Sequence, residues 1–229
     1  MITTAEAPPF YYMIDALNTG GPVQQASYFC LRNNSWQLLA MDTGIEDDVP
    51  KPEVEIFSLG WKKHMTSLRG DEYRWHRHHL DNAGDRKTIL LSHHQLFSVY
   101  EPLQTRTSKT SVNTNLLQDF GPYLDRGKVS AWFWGHEHDF VEMIPGHRGL
   151  PVAACIGHGA IPVDSRKRPR SAQEEPPYPG RGEPPKLTVT EHYYHHGFSV
   201  IQLSEDNAVI NHYEVETSGK ARHIGKSYF

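Results

Sequence analysis

At 229 residues the chain is long enough for one sizeable hydrophobic core, so length excludes neither an enzyme nor a binding module. A net charge of -4 gives no broad basic footprint for nucleic acid. No apolar run approaches the roughly 18–20 residues that span a bilayer, and Met1 to Pro9 lacks the basic start and apolar core of a signal peptide, which together indicate a cytoplasmic chain.

In chain order, Pro9 to Leu17 suits a short helix closed by Asn18, Gly20 and Gly21. Ser27–Leu31 and Trp36–Met41 are strand-like runs joined by the turn residues Arg32-Asn33-Asn34-Ser35, which predicts a hairpin. Glu46 to Pro52 is an acidic, proline-bounded loop. From Val54 to Leu80 the apolar and aromatic spacing predicts one or two amphipathic helices broken at Gly70. Thr88–Leu91 is a short apolar strand, Leu116–Leu124 a helix and Val129–Trp134 a second apolar strand, together a right-handed strand-helix-strand crossover. Val141–Ile144 and Val152–Ile156 read as two more strands. The segment 164–187 is rich in proline, glycine and charge and is expected to be disordered, because it cannot offset its ordering entropy by burial. Phe198–Leu203 and Ala208–Val215 alternate apolar with polar residues, which predicts a terminal hairpin. Cys30 and Cys155 both lie in apolar stretches and suit buried thiols in a reducing compartment.

Chemistry concentrates at two strand ends. Ile89-Leu90-Leu91-Ser92-His93-His94-Gln95 and Ala131-Trp132-Phe133-Trp134-Gly135-His136-Glu137-His138 are apolar runs that stop abruptly in histidines. A buried strand fixes such imidazoles while the following loop leaves room for substrate, so the pattern points to a metal site. On an extended backbone His136 and His138 face one side; Glu137 then faces away, toward solvent. His94, the neighbour of a ligand, is expected on the opposite face with at most a supporting role. Asp42 suits either an Asx turn or a hydrogen bond that orients a ligand. His158, between two glycines, is a candidate substrate contact. Most other histidines, including His76, His78 and His79, are expected to face solvent, and His192, His195 and His196 form a surface cluster able to take up metal adventitiously. Trp132, Phe133 and Trp134 read as a strand buried on both faces rather than a stacking platform for bases.

The S-H-H-Q and G-H-x-H strand ends, with Ile156-Gly157-His158-Gly159-Ala160-Ile161-Pro162 after them, resemble the last two sequence blocks and following loop of the calcineurin-like metallophosphoesterases. The resemblance implies an α/β fold, the C-terminal portion of an α/β/β/α sandwich with mixed sheets, over residues 27–229, preceded by a helix and linker at 1–26. It implies divalent manganese, iron or zinc, two ions in the intact family, with His93 and His136 on one and His138 on the other. Two ions about 3.5–4 Å apart clamp a phosphoryl group and generate an attacking hydroxide.

The family's D-x-H, G-D-x-x-D and G-N-H-D/E blocks are absent. Gly84-Asp85 and Asn211-His212 match only fragments of them. The expectation is therefore a metal-dependent phosphoesterase, acting on a phosphomonoester or phosphodiester, whose site is completed by residues outside this chain: a complementary N-terminal half or a second copy. One bound ion, or none, is the expectation for this chain alone. The alternative is a non-catalytic pseudo-phosphatase or fragment that serves as a binding domain. Neither reading calls for nucleic acid or a membrane as partner.

Overall fold

Asn33 makes the first turn. Its Oδ1 accepts hydrogen bonds from the backbone N–H of Ser35 at 2.9 Å and of Trp36 at 2.7 Å. The expected hairpin forms around it, with β1 at Phe29–Arg32 and β2 at Trp36–Ala40. The computed structural model describes residues 24–44, 66–100, 103–104, 109–159, 161, 163–166 and 187–229, with Tyr12 and Ala16. The expected loop at 46–52 and the first part of the amphipathic stretch, 54–65, lie outside these residues. So do most of the 164–187 segment and most of the N-terminal helix, of which Tyr12 and Ala16 are helical.

Helix α1 spans Gly70–Asp81, so Gly70 starts the helix rather than breaking one. Then come β3 at Lys87–Ser92, the two-residue strands β4 at Leu103–Gln104 and β5 at Lys109–Thr110, helix α2 at Thr114–Leu124 and β6 at Ala131–Trp134. Asn113 caps α2 by accepting from Leu116 N–H at 3.2 Å, and Leu116, Phe120 and Leu124, four residues apart, are buried on one face. β7 at Phe140–Glu142, β8 at Val152–Ile156, β9 at Val189–Thr190 and β10 at Tyr193–Tyr194 follow. β11 at Gly197–Leu203, β12 at Ala208–Val215 and β13 at Ala221–Tyr228 close the chain.

The main sheet has six strands in the order β1-β2-β3-β6-β8-β7. β2, β3, β6 and β8 run parallel, and β1 and β7 are antiparallel edges, so the sheet is mixed. The predicted α/β class is what the chain adopts, with one mixed sheet and the smaller sheets antiparallel. The expected terminal hairpin is the first two strands of a three-stranded antiparallel sheet, β11-β12-β13. No expectation covered β13, whose sequence ARHIGKSY is largely polar and whose residues are half-buried or exposed.

Alternation along the central strands builds two cores. Leu39, Leu90, Trp132, Trp134, Ala153 and Cys155 pack with Leu80, Leu116, Phe120 and Leu124 of the helices. Trp36, Ile89, Ala131, Phe133, Val152 and Ala154 point the other way, onto Ala208 and Ile210 of the small sheet. The run Trp132-Phe133-Trp134 is thus buried on both faces, as predicted. Both cysteines are free, Cys155 buried and Cys30 half-buried. Among the described residues no helix is long and apolar enough to cross a membrane.

The buried stripe of α1 is partly polar: Glu72, His76 and Leu80. His76, expected to face solvent, is fully buried and its Nε2 lies 3.2 Å from Glu72 Oε1, which also accepts from Asp42 N–H at 2.8 Å. The helix is therefore tied to the end of β2 by hydrogen bonds as well as by apolar contact.

Replacing Phe133 by Ala removes a ring from the centre of the second core and is expected to cost about 3–5 kcal/mol in denaturant unfolding. His79 gives a pH test. Burial, reinforced by Arg32, His78 and His76, pushes its imidazole down to about 4. The unfolded chain takes up this proton near 6.5, so stability is lost as pH falls through 6.5 toward 4. Thermal melts at pH 7.5 and pH 5 are expected to show a drop that is smaller in His79→Gln.

Candidate metal centre

Strands β3 and β6 end side by side, with Ser92 opposite Trp134. Just beyond, the carbonyl oxygen of His93 accepts from the backbone N–H of Gly135 at 3.1 Å and of His136 at 2.8 Å. This double latch carries the pairing past the strands and sets His93 beside His136. Their Nε2 and Nδ1 atoms are 3.0 Å apart, with the rings nearly perpendicular at 84°. His94 joins them: the ligand nitrogens of His93, His94 and His136 all lie within 4.8 Å of one another. Exposure is graded across the cluster, from exposed His93 through half-buried His136 to buried His94.

Local polar contacts explain how two adjacent histidines reach one cluster. Ser92 Oγ donates to the His94 carbonyl at 2.7 Å and accepts from Trp132 Nε1 at 2.9 Å, bending the chain as it leaves β3. Thr43, fully buried just past the end of β2, accepts from His94 N–H at 2.9 Å, and its Oγ1 lies 3.1 Å from His94 Nδ1. The supporting position expected for His94 is therefore one on the cluster itself. No sequence signal marks Thr43 beyond its place after a strand. Asp42 is not part of the cluster: its side chain accepts from Ser27 Oγ and its N–H donates to Glu72.

The alternation expected for His136 and His138 does not apply, because β6 ends at Trp134 and the chain turns. His138 N–H donates to Gly135 O at 3.0 Å, and His138 adopts a left-handed backbone with φ 54°. His138 is half-buried and is not one of the three clustered histidines. The same turn corrects the expectation for Glu137, which is 1% exposed rather than solvent-facing. It accepts from Ser98 Oγ at 2.6 Å and Trp134 Nε1 at 3.2 Å. Asp139, also buried, accepts from Tyr100 Oη and from Phe140 N–H. These two carboxylates fasten the loop after β3 to the turn after β6.

His158, the candidate substrate contact, lies in the interior at 2% exposure, with Nε2 3.2 Å from the Tyr213 carbonyl. Burial pushes its imidazole down, partly opposed by that hydrogen bond, in which Nε2 donates to the carbonyl. His192, His195 and His196 form no metal-ligating group among the described residues; His195 Nε2 lies 2.6 Å from Thr190 Oγ1.

Three neutral imidazoles suit one divalent ion of the borderline transition series. Two nitrogens each roughly 2.0–2.1 Å from one ion stand about 3 Å apart, close to the His93–His136 separation. No carboxylate joins the group among the described residues. Two dications would bring four charges against neutral donors, so the two-ion arrangement implied by the resemblance does not fit this donor set.

No family model and no curated protein matches the chain. Among solved structures, a purple acid phosphatase isolated from yellow lupin (Lupinus luteus) seeds is similar at a TM-score of 0.45 and 12% identity, over 88% of this chain and 32% of that one. The chain spans about a third of the length of that protein.

The turn carrying His136 is packed against the loop after β8. A Cβ on Gly157 would lie 1.9 Å from the Gly135 carbonyl oxygen, a backbone atom that cannot step aside without moving the turn. Gly157→Ala is expected to cost about 1–3 kcal/mol in denaturant unfolding and to weaken divalent-metal binding, read together by denaturation with and without added zinc.

Proposed function

We propose that the chain is a metal-dependent phosphoesterase. The observation that carries this is the convergence of His93, His94 and His136 at the carboxyl ends of adjacent parallel strands, the place where open α/β sheets bind ligands. The phosphoester class rests on the resemblance of S-H-H-Q and G-H-x-H to the metallophosphoesterase blocks. His93 and His136 would hold an ion, which when bound would act as a Lewis acid toward a phosphoryl oxygen and bring the pKa of a bound water to about 7.

The remaining work belongs to the protein. Exposed His93 leaves the outer side of the cluster open to a phosphoester. The His93 carbonyl latch and the Ser92 brace hold the imidazoles in place, so little reorganisation accompanies binding. The motif resemblance alone would add His138 as a ligand to a second ion and His158 as a substrate contact; the three-histidine cluster includes neither.

Hydrolysis of an aryl phosphodiester and an aryl phosphomonoester by the full chain, with added zinc or manganese, is the direct test. The expected result is turnover that falls at least about a hundredfold in His136→Ala, a loss of ~2.7 kcal/mol or more in transition-state stabilisation. Turnover unchanged in that variant overturns the assignment of the site. A folded, metal-loaded chain with no turnover favours the non-catalytic binding domain.

A further inference from the structure

We infer that the centre is a one-ion, three-histidine site in which His94 is the third ligand and Thr43 the residue that positions it. This deepens the reading above and rests on it. It departs from the motif resemblance, which assigns the third imidazole to His138 and a second ion.

The geometry separates the two histidines. His94 shares one cluster with His93 and His136, its ring centroid 4.3 Å from that of His136 and 4.7 Å from that of His93. His138 sits past a turn, on a left-handed backbone, outside the group. Strand alternation points adjacent residues to opposite faces, but that rule ends with β3 at Ser92, and the bend braced by Ser92 Oγ lets His93 and His94 approach one ion.

Thr43 supplies the orientation that a metal-bound imidazole requires. Ligating histidines give their second ring nitrogen to a fixed partner, which sets the tautomer and the angle of the ring. Thr43 Oγ1 stands at Nδ1 of His94, so Nε2 is the coordinating atom, and the same oxygen accepts from His94 N–H. Thr43 is itself anchored: it follows β2, whose end is held by the Met41 N–H bond to Leu91 O at 2.8 Å and by Asp42 N–H on Glu72 of α1. Three nitrogen donors leave the fourth position of a tetrahedral ion for water or a phosphoryl oxygen, on the side where His93 meets solvent. Neutral ligands leave the full dipositive charge uncompensated, which favours an anionic substrate in that position.

The test uses the metal-stripped full chain titrated with cobalt(II), followed by its visible absorption, with stoichiometry from elemental analysis after desalting. The expected result is one equivalent with the intense bands of four-coordinate cobalt, unchanged in His138→Ala and lost in His94→Ala. Thr43→Val is expected to weaken cobalt binding about 10- to 100-fold, and Thr43→Ser to restore it. Because Thr43→Val keeps the ligand, it decides the matter should His94→Ala fail to fold. Loss of the bands in His138→Ala with retention in Thr43→Val overturns the ligand assignment while leaving a metal-dependent phosphoesterase standing, as does binding of two equally tight equivalents. A wild-type chain that takes up no cobalt overturns both.

Discussion

One carbonyl oxygen governs the site. His93 O accepts from two successive N–H groups, Gly135 and His136, at the point where β3 and β6 stop being strands. Without that latch the two loops would leave the sheet independently, and the imidazoles would be brought together only by side-chain contacts. With it, the separation of His93 and His136 is set by backbone geometry that the sheet already enforces through the Ser92–Trp134 pairing. The turn that bears the latch lies against Gly157, where a Cβ would strike the Gly135 carbonyl oxygen. The close backbone approach thus lies directly beside the latch that sets His93 against His136.

What holds the latch still is burial on both sides. The central strands contribute large side chains to both cores, Trp132 and Trp134 toward the helices and Phe133 toward the small sheet, so the strand ends cannot shift without disturbing two packed layers. The buried carboxylates near the site find their partners inside this frame. Glu137 and Asp139 accept from Ser98, Trp134 and Tyr100, and Glu72 accepts from Asp42. Buried carboxylates with these partners are costly to disrupt, because removing a donor leaves a desolvated acceptor. They make the loops after β3 and β6 a single unit.

The strands that build this frame were legible in the sequence because their burial is two-sided: Ile89 to Leu91 and Trp132 to Trp134 leave no polar face to confuse the pattern. The hairpin at Asn33 was legible from turn chemistry, and the terminal one from the alternation of its two strands. Strand β13 was not, since an edge strand with little burial has no apolar period to show. The buried face of α1 was hidden for a related reason: Glu72 and His76 look like solvent-facing residues until Asp42 N–H and the packing of Tyr28, Trp75 and Phe120 around His76 are known. At the site, His93 and His136 followed from strand ends. His94, Glu137 and the backbone of His138 could not be placed from them, because alternation is a property of extended chain and each lies two to four residues past where extension ends.

That boundary also explains why the histidines differ in exposure. A residue immediately after a strand end still projects at the rim of the sheet, where His93 meets solvent, whereas the next residue is drawn inward when the chain bends. His94 goes inward because Thr43 and the Ser92 brace give its backbone N–H and C=O, and its Nδ1, partners that replace water. An imidazole satisfied in that way is rigid, and the one beside it is exposed. The same bend that defeats strand alternation therefore produces a cluster with a fixed inner wall and an open outer side.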